Sequence, residues 1–243
     1  MKTDRIITIL CLVGAIVYPF VLRDPYYMHM AILVGIYVLL AISINLLLGY
    51  AGQLSLGHAA FFGVGAYVSS LLYLYMKIEM WGGMILALFA SGLLGYIAAK
   101  LAFKLRGAYF VIMTIGIAEV LKLVGLNWVE LTKGPMGLTD IGVPRIDLGG
   151  FGVIDFANKA PYYYLILLIV LLCFFFQYRL VHSSFGRAFI SIRENEDLAE
   201  SVGINSYRYL VIVVIISASM AGLAGALYGH YVSFIDPGVF GFF

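Results

Sequence analysis

Charged residues are scarce in this sequence. Asp, Glu, Lys and Arg make up 12% of the 243 residues, whereas about 25% is usual in a soluble domain. Hydrophobic residues account for 63%, and the mean hydropathy is +1.01. A chain this apolar has too little polar surface for a soluble fold, so the composition excludes that class and indicates a membrane protein with several spans.

Cysteine and clustered basic residues are also rare. The two cysteines, Cys11 and Cys173, lie inside apolar runs and show neither the spacing of metal ligands nor a disulfide framework. We therefore interpret them as packing residues and expect no metal site. The net charge of +2, without a basic run, gives no sign of a nucleic-acid partner.

Catalytic and nucleotide-binding motifs are missing as well. The sequence contains no HExxH, no GxSxG and no glycine-rich phosphate loop followed by Lys. The one pair with nucleophile and base character is Ser55 and His58, three residues apart, which keeps a membrane-embedded enzyme only as a remote alternative. We expect no catalytic residue and no cofactor, so any ATP hydrolysis would belong to another subunit.

Seven apolar runs are long enough to cross a membrane. Each has about 17 to 25 residues, which as a helix spans a hydrocarbon layer of about 30 Å. The first run resembles a secretory signal, but no small-residue cleavage site follows it, so we interpret it as a retained span. The predicted fold is an all-α, polytopic transmembrane helical bundle with spans at 6–22, 30–48, 54–76, 82–103, 108–128, 162–180 and 209–231.

The stretch 45–67 carries five glycines in an apolar background. One interpretation is a broken or re-entrant helix that lines an interior path, because irregular backbone is tolerated in a membrane only where protein or water satisfies it. The other is close helix packing through small residues. Because His58 lacks a second metal ligand at helical spacing, we interpret it as a hydrogen-bonded core residue. The candidate path residues here are Asn45, Gln53, Ser55 and His58.

The fifth span contains two ionisable residues, Glu119 and Lys122. Ionisable groups inside a span are costly and mark functional sites by default. Because the two lie one helical turn apart, we favour an internal ion pair. Glu119 as a contact for a substrate ammonium group is the alternative, so it joins the candidate path residues.

A charged island at 183–203 interrupts the apolar pattern, with six charged residues in a chain that has few. Apolar residues at helical spacing predict two short helices. Ser183 or Ser184 is suited to cap the first and Asn195 the second, and Gly203 is suited to end it. The island is either a solvated loop between spans or an amphipathic elbow that docks a soluble partner.

The distribution of Lys and Arg gives an orientation. Nine of the fifteen lie on the side of the N-terminus and the elbow, five lie on the other side, and Lys122 falls within a span. The positive-inside bias therefore predicts a cytoplasmic N-terminus and elbow. The segment 129–160, rich in Gly, Pro and Asp, is then an external loop, with room for short strands.

Four separated motifs resemble the permease subunits of branched-chain amino acid ABC transporters, of the LivM type within the hydrophobic amino acid uptake family. They are INLLLGYAGQLSLGHAAFFGVGAY at 44–67, LRGAYFVIMTIGIAEVLKLV at 105–124, GPMGLTDI at 134–141 and SSFGRAFISIRENEDLAESVGI at 183–204. The resemblance covers most of the chain from the second span onward, whereas the first span is generic.

The resemblance implies an ATP-driven importer in the cell membrane. Its expected partners are a second, LivH-like permease subunit, two cytoplasmic ATP-binding subunits, an extracytoplasmic substrate-binding protein and the lipid bilayer. The elbow would insert into the ATPase, and its expected coupling residues are Gly186, Arg187, Arg193, Glu194, Glu196 and Gly203.

Three alternatives stay open at this point. Urea or short-chain amides are the closest other substrates within the family, and a passive channel or secondary transporter would work without an ATPase at the elbow.

Family members usually continue beyond a seventh span, whereas this chain stops after FIDPGVFGFF, where an external turn is expected. We therefore expect one permease domain over 1–243 that lacks C-terminal helices of the family.

Overall fold

The computed structural model describes residues 13–21, 24–103, 109–147 and 153–241. In these ranges the bundle is helical, and α2 continues directly into a π-helix, Asn45–Tyr50. The helices are α1 (residues 13–21), α2 (Pro25–Ile44), α3 (His58–Met76), α4 (Met80–Ala102), α5 (Tyr109–Asn127), α6 (Val129–Thr132), α7 (Lys159–Val181), α8 (Ser184–Glu194), α9 (Glu196–Ser201) and α10 (Ser206–Val232).

Six helices are long and apolar enough to cross a membrane, namely α2 with its π-helix, α3, α4, α5, α7 and α10. They correspond to the second to seventh predicted spans, with ends that differ by a few residues, such as Pro25 in place of residue 30. The first predicted span, 6–22, lies largely outside the described residues, and only 13–21 is seen as helix. The described part of the chain thus contains six candidate spans.

The centre of the bundle is α10, which is the most buried of the six, whereas α5 and α7 are the least buried. Burial of α10 depends on small residues. In a membrane, lipid tails are as apolar as the side chains, so helices associate through van der Waals packing, and small residues allow their backbones to approach closely. A Cβ atom placed at Gly65 in α3 would overlap the backbone of Gly222 in α10, and one at Gly225 would overlap the carbonyl oxygen of Phe62. The glycines of α3 and α10 therefore permit direct backbone contact.

Two ends of the bundle can be distinguished by the segments that lie there. The elbow end carries α8 and α9, which pack Phe189, Ile192 and Ala199 against the ends of α4 and α10. The loop end carries the segment from α6 to α7. There, His230 donates its Nδ1–H to the carbonyl oxygen of Gly142 at 2.7 Å and thereby ties the segment to α10.

The segment between α6 and α7 contains a 3-10 turn, Gly134–Met136, and two three-residue strands, β1 (Arg145–Asp147) and β2 (Val153–Asp155). The strands pair antiparallel, with Ile146 opposite Ile154. A second backbone bridge joins Leu138 to Ile235 beyond α10. The sequence left room for short strands in this segment, and β1 and β2 are the strands that it contains among the described residues.

Residues 233–241, here called the re-entrant segment, follow α10 where the sequence predicts an external turn, and they pack back against α3. Ser233 adopts a left-handed conformation that ends α10, and a 3-10 helix, Pro237–Phe240, follows. Phe240 is buried, stacks on Tyr67 of α3 with ring centroids 5.2 Å apart and lies against Gly63. The chain turns back into the bundle because the bare backbone at Gly63 leaves space for this ring.

Replacement of Gly65 tests the backbone contact between α3 and α10. We expect Gly65→Ala to lower the free energy of unfolding by about 1–3 kcal/mol, because the added methyl group must push two helix backbones apart. Gly116→Ala is the matched control, since a Cβ atom there meets no atom within 4 Å. Thermal unfolding in detergent measures both, and equal midpoints for the two variants would contradict the packing.

Candidate functional site

The glycine-rich stretch forms a break between two helices. The π-helix ends at Tyr50, residues 51–57 are irregular, and α3 begins at His58. Gly52 has a φ of +70°, which favours glycine, and Gly57 lies so close to the backbone of Thr114 in α5 that a Cβ atom would overlap its carbonyl group. The helix is therefore broken at this stretch, and glycines pack the break closely against α5.

Arg193 of the elbow binds the end of the broken helix. Its Nη1 donates to the carbonyl oxygen of Gly49 at 2.5 Å, while Nε and Nη2 donate to Oε1 of Glu194. The last carbonyls of a helix lack intrahelical partners and carry partial negative charge, so a guanidinium group is favoured there. The elbow and the glycine-rich stretch, which the sequence presents as separate motifs, are thus in direct contact.

His58 belongs to a buried hydrogen-bonded network. Its Nε2 lies 2.7 Å from Oγ of Ser43, and the hydroxyl of Ser217 in α10 donates to the carbonyl oxygen of Ser43 at 2.6 Å. The interpretation of His58 as a hydrogen-bonded core residue is confirmed. Its other ring nitrogen, Nδ1, is buried and has no partner in the part of the chain that the structure describes.

A cavity of about 550 Å³ lies between the first turn of α3 and the re-entrant segment. It is hereafter the first cavity. Its wall contains His58 and Asp236, together with apolar and aromatic side chains from α2, α3 and α10. This volume falls within the range of about 300–1,000 Å³ that is usual for small-molecule sites.

A second cavity of about 420 Å³ lies on the α5 side of Phe240, and Glu119 and Lys122 both face it. Within the described residues no salt bridge joins these two side chains. The favoured ion pair is therefore not formed in this conformation. Both charges instead border a space that is open on one side, where a partner, water or further protein can reach them.

The predicted path residues are not all brought together. His58 lines the first cavity and Glu119 the second, whereas Asn45, Gln53 and Ser55 line neither. Asn45 lies beside Gly49, where a Cβ atom would overlap its amide oxygen. The hydroxyl of Ser55 is buried without a partner among the described residues.

Sequence reasoning missed two groups of polar residues. Ser43 and Ser217 lie inside long apolar runs, and only the hydrogen bonds of Ser43 to His58 and Ser217 reveal them. Tyr37 and Tyr228 line the first cavity from α2 and α10, and Asp236 reaches it because the re-entrant segment folds back. In the sequence, an isolated Asp next to Pro predicts only a turn.

The elbow has the two predicted helices and caps. Ser183 accepts a hydrogen bond from the amide of Phe185, and Asn195 accepts one from the amide of Leu198. Glu196 lies in the first turn of α9, and Gly203, with a φ of +90°, follows its C-terminal end. A Cβ atom at Gly186 would overlap the carbonyl oxygen of Val181, so this glycine permits the tight turn from α7 into α8.

The outer face of the elbow combines acidic and apolar groups. Arg187, Glu194, Glu196, Asp197 and Glu200 are exposed, and so are two large apolar side chains, Leu198 at 64% and Val202 at 72%. A solvated connecting loop does not require apolar side chains at such exposure. The combination is typical of a surface that a protein partner covers.

The contact between Arg193 and Gly49 gives a prediction for hydrogen exchange. Arg193→Ala removes a charged hydrogen bond worth about 1.5–3 kcal/mol, so we expect roughly tenfold or faster exchange of the amides just after the break. Those amides are Gly52, which donates to Leu48, and Gln53, which donates to Leu47. Arg187→Ala, which removes an exposed arginine of the same helix, is the control; equal exchange in both variants would show that Arg193 does not stabilise the break.

A family model described as the permease component of branched-chain amino acid transport systems matches residues 26–243. Among curated relatives, the LivM permease proteins of the high-affinity branched-chain amino acid transport systems of Salmonella typhimurium strain LT2 and Escherichia coli strain K12 are 31% and 30% identical. These matches cover 95% and 98% of this chain, but only 58% and 60% of the relatives. The chain thus spans about three fifths of their length.

A LivH permease protein of the same transport system in Salmonella typhimurium is also similar, with 27% identity over 83% of this chain and 68% of that protein. No solved structure matches the chain significantly. With six apolar helices of spanning length, the family match makes this a multi-pass membrane protein. The chain therefore belongs to the family of permease components of branched-chain amino acid transport systems.

Proposed function

We propose that this chain is a membrane-spanning permease subunit of an ATP-driven importer for branched-chain or related hydrophobic amino acids. The observation that carries the proposal is the match to LivM proteins at about 30% identity over nearly the whole chain. Such a subunit does not hydrolyse ATP itself, and the sequence accordingly holds no phosphate-loop motif. The substrate path would run along the helix break, with His58 and Glu119 at its two cavities.

The proposed orientation has the elbow, 183–203, in the cytoplasm and the segment 129–160 outside. It is supported by the excess of Lys and Arg at the elbow end. Two cytoplasmic ATP-binding subunits would then contact the acidic and apolar face of α8 and α9, while an extracytoplasmic binding protein would approach the loop end. Similarity to LivH as well as LivM supports pairing with a second, related permease subunit.

Coupling would pass through Arg193. A displacement of α8 by the ATPase moves the guanidinium group that holds the carbonyl oxygen of Gly49, and this carbonyl lies at the start of the helix break. The break in turn positions His58 at the first cavity. One hydrogen bond from Arg193 to Gly49, with the guanidinium group held by two further bonds to Glu194, thus offers a mechanical connection between the elbow and the path.

Uptake by the assembled transporter tests the proposed function. We expect proteoliposomes that contain this chain, its permease partner and the ATP-binding subunits to accumulate L-leucine only with ATP and the cognate binding protein, because affinity and energy are supplied by those subunits. The measurement is radiolabelled uptake, with L-leucine, L-isoleucine, urea and acetamide compared. ATP-dependent uptake of urea or acetamide without leucine would assign the chain to the other substrate class.

Charge reversal at the elbow tests the coupling role. We expect Arg187→Glu to reduce uptake about tenfold while the complex stays in the membrane and continues to hydrolyse ATP, since reversing an interfacial charge replaces attraction with repulsion. Arg187→Lys keeps the charge and is the matched control, with uptake largely retained. ATPase activity, copurification of the ATP-binding subunits and uptake are measured together. Unchanged uptake and association in the Arg187→Glu complex would rule out docking through this residue.

A further inference from the structure

From the first cavity we infer that it binds the ammonium group of the transported substrate, with Asp236 as the counter-charge and Nδ1 of His58 as a hydrogen-bond acceptor. The inference rests on the proposed function for the class of substrate, an apolar amino acid. It adds the residues that recognise the charged end of that substrate. Neither the family match nor the sequence pattern assigns Asp236 a role.

The hydrogen bonds of Ser43 determine which nitrogen of His58 carries the proton. The hydroxyl of Ser43 donates to the carbonyl oxygen of Leu40 at 2.8 Å, so its one proton is used there. Its oxygen must then accept the Nε2–H of His58. In a neutral imidazole this leaves Nδ1 as an acceptor, and Nδ1 has no partner among the described residues. The residue is 1% exposed and belongs to the wall of the cavity, so a ligand that donates a hydrogen bond satisfies Nδ1 once a small movement of this wall uncovers the atom.

Asp236 supplies negative charge to the same cavity. Its Oδ1 accepts the amide of Gly238 at 3.1 Å, which fixes the carboxylate at the start of the 3-10 helix. In the described part of the chain no Lys, Arg or His forms a salt bridge with it. Asp236 is exposed and lines the first cavity, so a cation in that cavity can reach its carboxylate. A substrate ammonium group is such a cation.

The remaining wall suits the rest of an apolar amino acid. No Lys or Arg is among the lining residues of the described chain, so nothing there competes with a bound cation. Aromatic rings can stabilise an ammonium group through their faces, and aliphatic side chains accept an apolar substituent. The lining residues that serve these purposes are Tyr37, Leu40, Ile44, Phe62, Tyr228 and Phe234.

The second cavity is a weaker candidate for the same role. Glu119 offers a carboxylate there, but Lys122 borders the same space and its ammonium group competes for that carboxylate. This difference in charge between the two cavities favours Asp236 over Glu119 as the ammonium contact. The second cavity also supplies a matched control position for cysteine labelling. Each cavity has one alanine in its wall, Ala59 in the first and Ala118 in the second.

Protection of single cysteines tests the inference in the assembled transporter. Ala59→Cys and Ala118→Cys are made separately after Cys11 and Cys173 are replaced by alanine, and labelling by a water-soluble maleimide is timed. We expect saturating L-leucine, and also 3-methylbutylamine, to slow labelling of Ala59→Cys about tenfold by occupying the cavity. 4-Methylpentanoate, which lacks the ammonium group, gives no protection, and labelling of Ala118→Cys does not change.

Variants of Asp236 complete the test. Asp236→Asn abolishes protection by both amines, and Asp236→Glu, which keeps the charge, retains it; a fold defect would remove protection in both. Four results would each overturn the inference. They are equal protection by 4-methylpentanoate, protection at Ala118→Cys alone, protection that survives Asp236→Asn, and no labelling of Ala59→Cys in any state. If the unaltered complex imports leucine while one of these results is found, the inference fails and the proposed function stands. If it imports no leucine, the proposed function fails.

Discussion

Between Tyr50 and His58 the backbone leaves the helix, and every amide and carbonyl released there needs a partner because lipid offers none. The partners come from the preceding helix, from α5 and from the elbow. Gly52 and Gln53 donate back to Leu48 and Leu47, the amide of Gly57 points to the hydroxyl of Thr114, and the carbonyl of Gly49 accepts from Arg193. Helix α5 and the elbow are therefore both held to this break.

The contacts that hold the helix break also determine where polar groups can lie in the bundle. The close approach of Gly57 to α5 places the first turn of α3, with His58, beside Ser43. A second irregular segment, 233–241, folds back from the loop end and fills the bare surface at Gly63 with Phe240. The re-entrant segment and the first turn of α3, which follows the break, border the first cavity, and Leu56 of the break borders the second. Irregular backbone beside a cavity is an arrangement by which membrane transporters place substrate groups within a bundle.

The distribution of burial describes how the chain meets its surroundings. Glycine and alanine in α10 allow α3 and α4 to pack against it, so most of α10 is covered by this chain alone. In contrast, α5 and α7 leave most of their surface uncovered, and α5 also presents Glu119 and Lys122 to an open cavity. A charged group in a span is stable only if water, protein or an opposite charge reaches it. The outer face of α5 is thus suited to protein or a watery path.

The sequence by itself determined the membrane class, six of the spans and the two capped helices of the elbow. These features depend on local composition, on runs of apolar residues and on residues such as Asn195 whose side chain caps its own helix. It also marked 45–67 as irregular, because five glycines cannot serve an ordinary span. The tertiary structure alone decided which of these features meet. Arg193 reaches Gly49 across 144 positions, Ser217 reaches Ser43 across 174, and Asp236 lines the same cavity as His58 only after the chain has folded back. No local pattern encodes such pairs, because each depends on how closely glycines allow separate helices to approach.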